Sequence, residues 1–107
     1  MDYTRLLPLE LQLKSLPLSA LGCNEVAWKA ENVFEVIDIL LAQSVIILGG
    51  DVYRLCDSSI EITYDSWFYS GDGGRESSEE SCSLAKNYIQ KYIDRNGQDF
   101  VYSLVCR

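Results

Sequence analysis

The chain has 107 residues, 48% of them apolar and 11% aromatic, a length and composition suited to one hydrophobic core. Nine basic against sixteen acidic side chains leave a formal charge of −7, which excludes the basic footprint that nucleic acid and anionic membrane both require. No histidine occurs, so Ser-His-Asp and Cys-His machinery cannot be assembled and the commonest metal ligand is missing.

Met1–Arg5 lacks the basic start and apolar stretch of a secretion signal, and Pro8, Glu10 and Lys14 interrupt the leucines after it. The longest apolar run, Val33–Leu48, is broken by Glu35, Asp38, Gln43 and Ser44 and is too short to cross a bilayer. A cytosolic protein is expected. Cys23, Cys56, Cys82 and Cys106 stand singly, without a C-x-x-C pair, and read as buried or half-buried thiols in a reducing compartment. Spacing alone does not exclude a disulfide between two of them.

Leu6, Leu9 and Leu13 can share a face of a short helix that starts at Pro8 and is ended by Pro17. Residues 1–15 therefore read as a peripheral arm. A long helix is expected over Asn24–Gln43, with Asn24 as N-cap and Val26, Ala30, Val33, Ile37, Leu40 and Leu41 at spacings of three and four. Val45–Leu48 reads as a short strand closed by Gly49-Gly50, and Asp51–Cys56 resumes an extended pattern. After a turn at Asp57–Ser59, Ile60–Tyr69 alternates. Ile60, Ile62 and Tyr64 should form the buried face of a hairpin, with Glu61, Thr63 and Asp65 on the other.

Ser70–Arg75 is a glycine-rich, exposed break. Ser77 and Glu80 then stand as a capping box for a second helix, whose apolar face carries Leu84, Ala85, Tyr88, Ile89, Tyr92 and Ile93 and which Asn96-Gly97 stops. Phe100–Cys106 is the last strand. The order predicts an α+β fold: one domain, a mostly antiparallel sheet and two main helices.

Chemical motifs are missing. Gly71-Asp72-Gly73-Gly74 lacks the Gly-Lys-Ser/Thr that grips phosphate. Asp65 and Glu76 have the separation of a calcium loop, but Trp67 and Tyr69 occupy ligand positions and Ser70 replaces the required glycine. No cofactor, no metal and no enzymatic activity are expected. What remains is a surface: Glu61, Thr63, Asp65, Trp67 and Tyr69 on one side of the strand, with Phe68 and the acidic loop beyond. Aromatics beside carboxylates suit a basic protein partner. The alternative is that Trp67 and Phe68 fold back into a corner of the core.

Three stretches occur together: Leu21-Gly-Cys-Asn-Glu-Val-Ala-Trp-Lys29, Ile46-Ile-Leu-Gly-Gly-Asp-Val-Tyr53 and Ile60-Glu-Ile-Thr-Tyr-Asp-Ser-Trp-Phe-Tyr69. A Ser/Glu-led helix ending Lys86-Asn-Tyr-Ile-Gln-Lys-Tyr92 comes after them. This pattern resembles the immunity protein 40 family of bacterial polymorphic-toxin systems over roughly Leu16–Ile93. The resemblance implies a small cytosolic protein that neutralises a toxin domain by tight, stoichiometric occlusion of its active site. The expected partner contacts are Asp51, Tyr53, Asp65, Trp67, Tyr69, Asp72 and Glu76, with Gly49 and Gly50 serving backbone geometry. The protein would act as a monomer or homodimer. The rivals are a regulatory or structural subunit, joined to a second copy along the hairpin edge, and a histidine-free enzyme using carboxylates.

Overall fold

The computed structural model describes residues 1–71 and 75–107. A 3-10 helix at Tyr3–Leu6 leads into α1 (Leu9–Gln12) and β1 (Leu16–Pro17). Then come β2 (Val26–Lys29), α2 (Ala30–Ala42), β3 (Ile47–Cys56), β4 (Ser59–Phe68), α3 (Ser78–Asn96), β5 (Phe100–Ser103) and β6 (Val105–Cys106). The strands form one antiparallel sheet in the order β1-β2-β5-β3-β4, with β6 paired to the start of β3. The α+β architecture expected from the sequence is the one observed.

The sheet separates two apolar clusters. On one face Trp28, Val52, Trp67 and Tyr102 pack with Val33, Val36, Ile37 and Leu40 of α2 and with Cys82, Ala85 and Ile89 of α3. On the other, Ala27, Tyr53 and Val101 are covered by Leu18, with Leu16, Leu21 and Cys23 around it. Residues 1–15 are not peripheral: Tyr3, Leu7 and Leu11 enter the main core, and Tyr3 Oη accepts a 2.7 Å hydrogen bond from the Trp28 indole N–H. Leu6, Leu9 and Leu13, expected to share a packing face, are the exposed ones.

Two further expectations fail for identifiable reasons. The long helix begins only at Ala30, because Val26–Lys29 pairs with β1 and β5 as a strand. Tertiary pairing overrides the helical spacing of Val26 and Ala30. Gly49-Gly50 does not close a strand; β3 runs through both. The requirement at Gly50 is steric, since a Cβ there would collide with the Ser103 carbonyl and the six-membered ring of Trp67. The second helix matches expectation: Glu80 N–H donates to Ser77 Oγ at 3.3 Å, and Gly97 N–H closes the last turn on the Ile93 carbonyl. All four cysteines are free thiols.

Overpacking a closed core position costs about 1–3 kcal/mol. Gly50→Ala should therefore lower stability by about 2 kcal/mol, read as a fall in the urea midpoint at unchanged slope. Burial pushes the Tyr102 hydroxyl and the Cys106 thiol each up to about 12, and raises Tyr3 further. These groups ionise earlier in the unfolded chain, which then binds fewer protons than the folded one. Stability should be flat up to about pH 9 and should fall as pH rises toward 12, measured by denaturant unfolding across that range.

Candidate functional site

β4 is the last strand of the sheet, so one of its edges has no strand partner. Its register with β3 contains a shift: Tyr53 pairs with Ile62 and Asp51 with Ser66, so Thr63, Tyr64 and Asp65 face Val52 alone. Thr63 Oγ1 donates to the Val52 carbonyl at 2.7 Å and accepts from Asp65 N–H at 3.1 Å, closing the bulge on itself. Tyr64 takes φ +69°, the left-handed region, where an L side chain crowds its own backbone.

The expected faces of the hairpin are inverted. Trp67, the Asp65 carboxylate and Tyr69 turn toward the helix layer: Trp67 stacks on Tyr88 with centroids 4.9 Å apart. Tyr92 Oη donates to Asp65 Oδ2 at 2.7 Å, and Tyr69 Oη accepts from Ser77 N–H at 2.8 Å. Ile60, Ile62 and Tyr64 turn to the other side. There the covering segment reaches only as far as Ile60, so Ile62 is 51% and Tyr64 90% exposed. Phe68 does not fold into a core corner but stands 80% exposed, whereas Trp67 does pack inward.

Two depressions flank this ridge. The bulge opens a cleft of about 300 Å³ lined by Asp51, Tyr53, Ile62, Tyr64 and Asp65, with Leu21 and Cys23 across it. A shallower groove of about 750 Å³ lies between the end of β4 and α3, with Trp67, Phe68, Leu84 and Tyr88 forming its apolar part and Glu79, Glu80 and Lys91 its charged part. The sequence-derived set is thus split. Asp51, Tyr53 and Asp65 line the cleft, Asp65 with its carboxylate turned to Tyr92, while Trp67 and Tyr69 line the groove. Glu76 forms an ion pair with Arg107, and Asp72 lies outside the described residues.

Tyr53, Trp67 and Tyr69 are each more than nine-tenths buried, so in the free chain they support the surface from below. Ile62, Tyr64 and Leu84, placed on buried faces by the sequence pattern, are exposed, whereas Phe68 is exposed as the surface reading expected. Ile62 and Tyr64 were misassigned because the segment that covers their side of the sheet ends at Ile60, which the alternation cannot show. Phe68 faces outward because Gly50 makes room for Trp67 alone.

Electrostatics derive from the same packing. Burial, and then its hydrogen bond to Asp65, push the Tyr92 hydroxyl up to about 12, so the tyrosine stays a donor. Burial first and the Asp51 charge next raise Tyr53. Among the described residues there are three ion pairs, Arg5–Asp2, Lys86–Asp38 and Arg107–Glu76, and neither Asp51 nor Asp65 belongs to one. No group of three or more His, Cys, Asp or Glu side chains among the described residues could hold a metal ion.

Residues 17–106 match the family described as Immunity protein 40. The chain belongs to this family. Among curated proteins and solved structures, none matches it. The immunity protein 40 pattern reaches further than the Ile93 limit read from the sequence: it takes in β5, which lies between β2 and β3, and both residues of β6. The ridge, the cleft and the groove all fall within the matched residues. No helix of the described residues is long and apolar enough to cross a membrane.

The left-handed conformation of Tyr64 costs about 1–2 kcal/mol for an L residue and is tolerated best by glycine or asparagine. Tyr64→Asn should raise stability by about 0.5–1 kcal/mol, whereas Tyr64→Ala, which keeps the strain, should not. Paired urea titrations read the difference.

Proposed function

We propose that this protein binds a cognate toxin domain and neutralises it without catalysis, by covering the toxin's active site in a stoichiometric complex. The observation that carries this reading is membership of the immunity protein 40 family. Cytosolic residence, where the toxin would act or be made, belongs to the same proposal. The contact surface we assign is the β4 ridge with its cleft and groove. Exposed aromatics on a rigid strand supply contact area at small entropic cost, and the carboxylates beside them select a basic partner and speed its approach.

Within the expected contact set, Asp51, Asp65, Glu76 and Asp72 are the polar contacts proposed. Tyr53, Trp67 and Tyr69 act through the surface they hold in place. Phe68 and Tyr64 join the set because they are the most exposed aromatics of the ridge. A homodimer joined along β4 is a second reading, favoured by the same exposed Ile62, Tyr64 and Phe68. It is opposed by the charge of −7 on each copy, which would bring Glu61 and Asp65 against their own counterparts.

Co-expression with its cognate toxin domain should restore growth, and the purified pair should run as a one-to-one complex in light scattering. Phe68→Ala should loosen that complex by about 2 kcal/mol or more if it is a hot spot. Undiminished killing in the presence of folded protein would refute the immunity reading. A free protein that scatters as a dimer and dissociates when Phe68 or Tyr64 is replaced would support the second one.

A further inference from the structure

The polar side chains of α3 divide by flank. On the inner flanks Lys86 pairs with Asp38 of α2, Gln90 donates to Asp94 at 3.0 Å and Tyr92 donates to Asp65 at 2.7 Å. On the flank that walls the groove, Glu79, Glu80, Ser83, Asn87 and Lys91 make no side-chain hydrogen bond or ion pair among the described residues. Between these groups Leu84 is 39% exposed, and Phe68 stands 80% exposed on the opposite wall. The charges are ordered: two acids open the flank, and Lys91 closes it about 16 Å further along the helix axis. The stacked rings of Trp67 and Tyr88 line the same groove and offer a backbone few partners. A helix, whose backbone groups bond to one another, suits such a groove better than an extended chain.

We infer that this groove is filled by α3 of a second copy of the chain, the two helices running antiparallel about a two-fold axis between Leu84 and Asn87. Reversing the direction lays Glu80 of each copy against Lys91 of the other, so the same ion pair forms twice. Leu84 then meets Asn87 and Tyr88 meets Ser83, the smaller side chains leaving room for the larger. Phe68 of each copy closes the groove from the β4 side. The groove asks for a helix with a base facing its acids and an acid facing its lysine, and α3 itself carries that order. A pairing along β4 would set Glu61 and Asp65 on their own counterparts, whereas this contact sets acids on bases. The net charge of −7 on each copy opposes either contact at a distance. Salt at about 0.15 M screens that repulsion over roughly 8 Å, while the Glu80–Lys91 pairs meet directly. The inference concerns the free protein and does not depend on the toxin reading. Where both hold, the second copy covers the groove until the toxin displaces it.

Sedimentation equilibrium of the full-length protein, from about 10 μM to about 1 mM, tests this. The average mass should rise from one chain toward two with concentration. Lys91→Glu and Glu80→Lys should each raise the dimer dissociation constant about tenfold or more, because both symmetry-related pairs become repulsive. The double variant, Glu80→Lys with Lys91→Glu, exchanges acid and base in both copies and should bring the constant back to within about threefold of its original value. Tyr64→Asn, on the other side of β4, should leave it unchanged. Should Glu80→Lys unsettle the first turn of α3, Lys91→Glu and Phe68→Ala carry the test, since neither lies near the helix cap, and each should weaken the dimer. A monomer at every concentration would overturn the inference and leave the toxin reading untouched. So would a dimer that Lys91→Glu does not weaken, or one that Tyr64→Asn dissociates, which would place the contact along β4.

Discussion

The contact between Trp67 and Gly50 holds the β4 edge of this protein in place. Trp67 pairs with Gly50 across β3 and β4, its ring covers the missing side chain, and its outer face stacks on Tyr88 of α3. A sheet edge and a helix are thereby clamped through one indole. Tyr69 extends the clamp by accepting the N–H of Ser77 at the cap of α3, and Ser81 of that helix accepts the N–H of Ile47 at 3.0 Å. Below them Tyr88 meets Tyr92, and Tyr92 meets both Phe100 and Tyr102, at centroid separations of 4.9–6.1 Å counted from Trp67, a branched aromatic cluster that resists compression as well as separation.

With the inner side of β4 committed to that clamp, its other side chains have nowhere to go but outward. The covering segment ends near Ile60, and beyond it Ile62, Tyr64 and Phe68 stand in the open. The bulge at Thr63–Asp65 disrupts the continuous edge that would otherwise invite strand addition, and the cleft opens beside it. An apolar ridge, a shallow groove and a small cleft thus arise from one register shift and one glycine. Strain at Tyr64 fits this arrangement, since the tyrosine contributes almost no packing to the fold that holds it.

Much of the scaffold was legible in the residue pattern. α3 could be read because its capping serine, its four-residue apolar spacing and its terminal glycine all agree, and the structure uses each of them. The hairpin turn and the final strand region were legible for similar reasons. Val26–Lys29 was not, because four residues are too few to distinguish a strand from the first turn of the adjoining helix. The face of β4 was misread although its alternation was right. Which of two alternating sets is buried depends on what covers the sheet, and the cover is supplied by Leu16–Cys23 from far earlier in the chain. Asp51 and Asp65 could be singled out by residue type, but that both border the cleft beside the bulge could not be read from the sequence.

The central claim is that the β4 ridge is the surface an immunity protein 40 chain offers to its toxin. Amide hydrogen exchange, measured on the free protein and on its complex with a toxin domain that it neutralises, tests this directly. Protection gained on binding should concentrate in Ile60–Tyr69 and in the first turns of α3, with the outer face of α2 unchanged. Protection confined to α2 or to the β1 edge, with β4 exchanging as in the free protein, would contradict the account.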